Sequence, residues 1–88
     1  MNELRPSYFY HATQEKNVSN ILREGLKRMR HYGRGLWPLF FETDPKYTHI
    51  WHDVVIQVDA LPYIKWSNNY DCYVSYKDIP PEHVRVLE

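Results

Sequence analysis

Apolar and polar positions along the chain fall into short blocks of changing period. Tyr8–His11 is an aromatic, β-prone run directly after Pro6, and it predicts a strand. Val18, Ile21, Leu22 and Leu26 then recur at helical spacing, which predicts a helix over about residues 14–26 with one apolar stripe. Thr13 is placed to cap it and Gly25 to end it. Residues Lys27–Trp37, "KRMRHYGRGLW", follow no period and read as a loop. Pro38 opens "LFFET", a short buried strand. Thr43 or Asp44 can cap a second helix that has Pro45 in its first turn and runs to about Trp51. "VVIQVD" (Val54–Asp59) is the clearest strand. Further strands are expected over Tyr63–Trp66, Asp71–Tyr76 and, beyond Pro80 and Pro81, over "HVRVLE". "SNN" at Ser67–Asn69 marks a turn. The order β-α-β-α-β-β-β-β predicts an α+β fold with two helices and a largely antiparallel sheet.

At 88 residues the chain is read as one domain, 1–88. A core of this size is marginal unless it is dense, and three Trp, eight Tyr and three Phe supply bulk for it. Formal net charge is zero, which excludes a general basic coat while leaving room for a local basic patch. Cys72 is the only cysteine, which suits a reducing compartment. No apolar run is long enough to span a membrane, and "MNELRPSYF" lacks the apolar stretch of a signal region. The expectation is a soluble, cytoplasmic protein that does not engage a membrane.

Four pieces occur in a telling order: "YHAT", then "VSNILREGL", then "LFFETDP", then "VVIQVD", with "YDCYVSYKDIPPEHVRVL" closing the chain. This order resembles the ADP-ribosyltransferase-like fold, especially its small bacterial and phage branches, the RNA 2'-phosphotransferases and the DarT-type DNA ADP-ribosyltransferases. The resemblance covers nearly the whole chain and rests on the order of motifs that are each short. It implies a small split sheet, NAD as cofactor, and ADP-ribosyl transfer to a protein or nucleic-acid target. By the same resemblance, His11 would hydrogen-bond a ribose hydroxyl of NAD, with Thr13 at the mouth of the pocket. Phe40 stands where relatives carry Tyr or His, and it would stack on the nicotinamide. Glu42 stands where relatives carry Ser or Thr. Its carboxylate would bond a ribose hydroxyl or orient a nucleophile, or else serve as an acidic charge at a helix start. Arg30 or Arg34 would grip the diphosphate, because guanidinium pairs well with phosphate. Nicotinamide–ribose cleavage builds oxocarbenium character and calls for a nearby carboxylate. Besides Glu42, the late candidates are Asp71 and Glu82, and both read as structural.

The residues also support plainer readings. His11 can be a strand-end histidine satisfied by backbone. Tyr10, on the opposite face of its strand, packs. Of Phe40 and Phe41, one must face inward. Arg23, Lys27, Arg28, Arg30 and Arg34, with His31, form a solvated basic end or a phosphate and nucleic-acid contact, in which Tyr32 and Trp37 would stack on bases. His49 and His52, with Asp53, have the spacing of a zinc pair but no matching third and fourth ligands, so no metal is assigned. Cys72, Trp51 and Trp66 are expected in the core. The alternative to an enzyme is a non-catalytic protein that binds a nucleotide or a partner on the same fold. Phosphate transfer from RNA is a third reading, weakened because the arginines all precede the second strand.

Overall fold

The computed structural model describes residues 6–31, 35–48 and 52–87. Strand β1 covers Tyr8–Thr13, and a 3₁₀ turn at Glu15–Asn17 leads into helix α1, Val18–Glu24. Two short strands follow, β2 at Arg30–His31 and β3 at Gly35–Leu36, and they pair as a hairpin within the segment expected to be a loop. Then come β4 (Leu39–Phe41), one helical turn α2 (Pro45–Thr48), and strands β5 (Val54–Asp59), β6 (Lys65–Ser67) and β7 (Cys72–Ser75). A second 3₁₀ turn at Pro81–His83 precedes β8 (Val84–Leu87).

Two three-stranded antiparallel sheets result, ordered β1-β5-β8 and β4-β7-β6. They meet through β1 and β4 at one isolated bridge. The backbones of Tyr10 and Glu42 exchange both hydrogen bonds, each at 2.9 Å. Beyond that bridge the two strands part, and the split opens there.

The core lies between the sheets. Phe9, Val55, Ile56, Val58, Ile64 and Ile79 are fully buried. Phe9 packs on Tyr73 at 4.8 Å between ring centroids and on Phe41 at 6.1 Å. Alternation along β4 sends Phe41 inward (2% exposed) and leaves Phe40 outside (36%), as one of that pair required.

The helical part departs from expectation. One helix of seven residues and a four-residue turn replace two full helices. The rest of the second expected helix, with His49 and Trp51, lies outside the described residues. Thr13 is no cap: it belongs to β1, and the residues before the 3₁₀ turn and before α1 make no side-chain cap bond. Asp44 does cap, accepting the Lys46 N–H at 2.9 Å. Of the expected stripe, Ile21 is buried, Leu22 is 48% exposed, and Leu26 is buried only after the helix has ended. Gly25 ends it at φ +86°, its N–H bonded to the Ile21 carbonyl. A Cβ at Gly25 would sit 1.9 Å from the Ile79 carbonyl oxygen. This close approach lets Leu26 and Ile79 exchange backbone hydrogen bonds at 2.9 and 2.8 Å. Trp66 is 51% exposed and Cys72 half-buried, so neither is a core residue: β6 is a sheet edge and Cys72 starts β7 at the rim. No helix among the described residues is long and apolar enough to cross a membrane.

Candidate functional site

The parting of β1 and β4 creates two chambers that share a wall. The larger, about 660 Å³, runs between α1 and the start of β4. Its lining includes His11, Thr13, Asn17, Asn20, Lys27 and Phe40, with Ile21, Leu26, Met29, Trp37 and Leu39 among its apolar groups. The smaller, about 470 Å³, lies on the β7 side and is lined by Tyr10, His11, Phe40, Glu42, His52, Tyr70, Asp71 and Cys72, among others. His11 and Phe40 border both. Sizes in this range suit small ligands; the larger chamber is mostly apolar with a few polar groups, whereas the smaller mixes aromatic with polar groups.

His11 is held where the ladder fails. Its Nδ1 lies 2.9 Å from the Phe40 carbonyl oxygen. A carbonyl only accepts, so Nδ1 carries the proton and donates it. Burial lowers the His11 pKa below the ordinary 6.5; the Phe40 bond opposes that and the neighbouring His52 adds to it. The ring is therefore neutral at physiological pH, and Nε2 is an acceptor. Its ring also contacts Phe41, 5.8 Å away between centroids. The backbone-satisfied histidine and the site histidine are the same residue.

Above the shared wall, three aromatic rings touch. Phe40 and Tyr70 meet edge to face at 5.0 Å, and Trp37 lies 6.1 and 6.3 Å from them. All three are more than a third exposed. Turn Ser67–Asp71 delivers Tyr70, closing with the Asp71 N–H bonded to the Ser67 carbonyl at 2.8 Å. Asp71 sits at φ +57°, the left-handed region that Asp tolerates better than most residues.

Of the residues singled out from sequence, His11, Thr13 and Phe40 come together in the large chamber. Thr13 is buried in its wall, not at a mouth. Glu42 lines the small chamber instead, with its backbone in the Tyr10 bridge. Tyr10 lines that chamber as well and is not simply packed. Arg30 lies in β2, whose side chains are not described, and Arg34 and Tyr32 lie outside the described residues. Among the described residues, Lys27 is the cation that lines the large chamber, where Glu24 also lies. Arg23 is engaged by Asn20 and Glu24 at the surface. Asp71 reaches the small chamber; Glu82, exposed on the second 3₁₀ turn, borders neither. His52 lines the small chamber, and among the described residues no group of three or more His, Cys, Asp or Glu is arranged to hold a metal ion. Asn17, Asn20 and Tyr70 were missed. Asn17 ends the 3₁₀ turn and Asn20 lies in the first turn of α1, but polar residues there are normally solvated and nothing local marks them.

No family model, no curated protein and no solved structure matches the chain.

Proposed function

We propose that this is an ADP-ribosyltransferase-like domain that binds NAD, or the related ADP-ribose, at the split between its sheets and acts on a protein or nucleic-acid target. One observation carries the reading. Burial keeps His11 a neutral imidazole, and its Nδ1–Phe40 bond leaves Nε2 the acceptor, at the junction of a large apolar chamber with a smaller one. A fixed acceptor there suits a ribose hydroxyl.

The donor set fits such a ligand. Thr13, Asn17 and Asn20 offer hydroxyl and amide groups, Phe40 and Trp37 offer ring faces, and Lys27 offers positive charge for a diphosphate. NAD, when bound, supplies a nicotinamide–ribose bond whose breaking leaves positive charge on the sugar. In this chain, His11 orients a ribose hydroxyl, Phe40 presents its exposed face to a planar ring, and Glu42 places a carboxylate across the shared wall. Arg30 and Arg34 remain proposed diphosphate contacts from the neighbouring segment.

The division between chambers favours a second reading. Thr13 lines one chamber and Glu42 the other, so these two groups do not face a single space, although His11 borders both. A non-catalytic protein that binds a nucleotide has no need of that convergence.

Isothermal titration of NAD and ADP-ribose into wild type and His11→Ala, with mass spectrometry for free nicotinamide, tests both. Binding with nicotinamide release, both lost in the variant, supports the transferase. Binding without release supports the nucleotide binder. No binding of either ligand overturns the proposal.

A further inference from the structure

The small chamber has a chemistry of its own. Two carboxylates, Glu42 and Asp71, line it, and among the described residues no lysine or arginine does. Its aromatic walls include Phe40 and Tyr70, set edge to face at 5.0 Å with 73° between their planes, beside Tyr10 and Phe41. Both rings keep more than a third of their surface exposed. Of its imidazoles, His11 is neutral, so it does not neutralise the carboxylates. The carboxylates also act on their surroundings: burial raises the Cys72 thiol pKa, and Glu42 and Asp71 push it up further.

We propose that the small chamber is a binding site for a guanidinium group carried on a narrow stem, of the kind an arginine side chain presents. A guanidinium is flat and weakly hydrated. It stacks on ring faces and spreads its N–H donors to more than one carboxylate. Phe40 and Tyr70 supply the faces; Glu42 and Asp71 supply the acceptors. A metal ion is the poorer match, because much of the wall is aromatic carbon and the described acidic and imidazole groups are not arranged as a ligand set. The assignment does not depend on nucleotide binding in the large chamber, and either can fail alone.

Protein NMR with butylguanidinium, and with its neutral counterpart butylurea, tests the site without any nucleotide. Saturable shifts of the Tyr70, Asp71 and Cys72 amides are expected with butylguanidinium and not with butylurea. Glu42→Gln and Asp71→Asn should each weaken binding about tenfold or more, the scale of a lost hydrogen bond to a charged group. Glu82→Gln, which removes the same charge away from the chamber, should leave it unchanged. Both chamber variants should fold: Glu42 bridges through its backbone, and Asn tolerates the left-handed conformation at position 71. The blocked peptide acetyl-Gly-Arg-Gly-amide separates the sources. If it binds as tightly as butylguanidinium, the site takes arginine on a protein chain; if butylguanidinium alone binds, it takes a free guanidinium compound. No saturable shift, an equal response to butylurea, or equal affinity in Glu42→Gln and Asp71→Asn would overturn the proposal.

Discussion

The imidazole of His11 donates from Nδ1 to the main-chain carbonyl of Phe40, 2.9 Å away, at the place where β1 and β4 cease to pair. A side chain thus takes up a carbonyl beside the bridge of Tyr10 and Glu42. Removing it has two separable effects. His11→Ala should lower stability by about 0.5–1.5 kcal/mol, the net worth of one hydrogen bond, and should abolish nucleotide binding. His11→Gln can still donate from its amide, so it should recover most of the stability. Urea unfolding alongside calorimetric titration reads the two effects apart.

The same residue ties stability to pH. The native state holds the His11 pKa below 6.5, so below that value the unfolded chain takes up a proton that the native chain refuses. The His11 contribution is therefore complete above about 6.5 and is lost as pH falls through that value toward the depressed native one. The fall in urea midpoint between neutral pH and about pH 5 should be smaller in His11→Gln than in wild type. An equal fall would show that His11 is not the linked group.

Phe40 and Phe41 are adjacent and should behave oppositely. Phe41→Ala removes a ring buried against Phe9 and should cost about 3–5 kcal/mol. Phe40→Ala removes a half-exposed ring that touches Trp37 and Tyr70, so it should cost about 1 kcal/mol. Ligand binding should show the reverse order of sensitivity, with Phe40→Ala the damaging change. Chemical denaturation and titration on the two variants decide it.

Gly25 is fixed by geometry. Its φ of +86° with extended ψ is a glycine conformation, and the Ile79 carbonyl fills the space that a Cβ would need. Gly25→Ala should destabilise by about 2–3 kcal/mol or more and should loosen the Leu26–Ile79 pairing. Faster hydrogen exchange of those two amides would show it.

Cys72 reports on the field of the small chamber. Burial, then Glu42 and Asp71, raise its thiol pKa, so it should alkylate more slowly than a free cysteine at mildly alkaline pH. Glu42→Gln should speed the reaction about twofold or more, and added salt should narrow the gap between variant and wild type. Identical rates at low salt would remove Glu42 from the thiol's surroundings.

The sequence by itself determined what is local. The β-prone runs at Tyr8, Leu39, Val54 and Cys72 became strands because alternation and branching are properties of neighbouring residues. The α+β order, the Asp44 cap and the glycine stop at Gly25 follow from single-residue preferences in the same way. Tertiary structure decided the rest. Helix α1 is shorter than its spacing predicts because the chain opens with a 3₁₀ turn at Glu15–Asn17, and Gly25 then turns it to pair Leu26 with Ile79, a contact across more than fifty residues. Thr13 became a wall residue because β5 extends the β1 ladder to its end. Thr13 and Glu42 parted into two chambers, with His11 on the wall between them, because the sheets join at the bridge of Tyr10 and Glu42 and separate beyond it. Tyr70 and Asp71 entered the site through the turn before β7. No periodicity encodes such meetings, since they depend on which distant backbones pair and where that pairing stops.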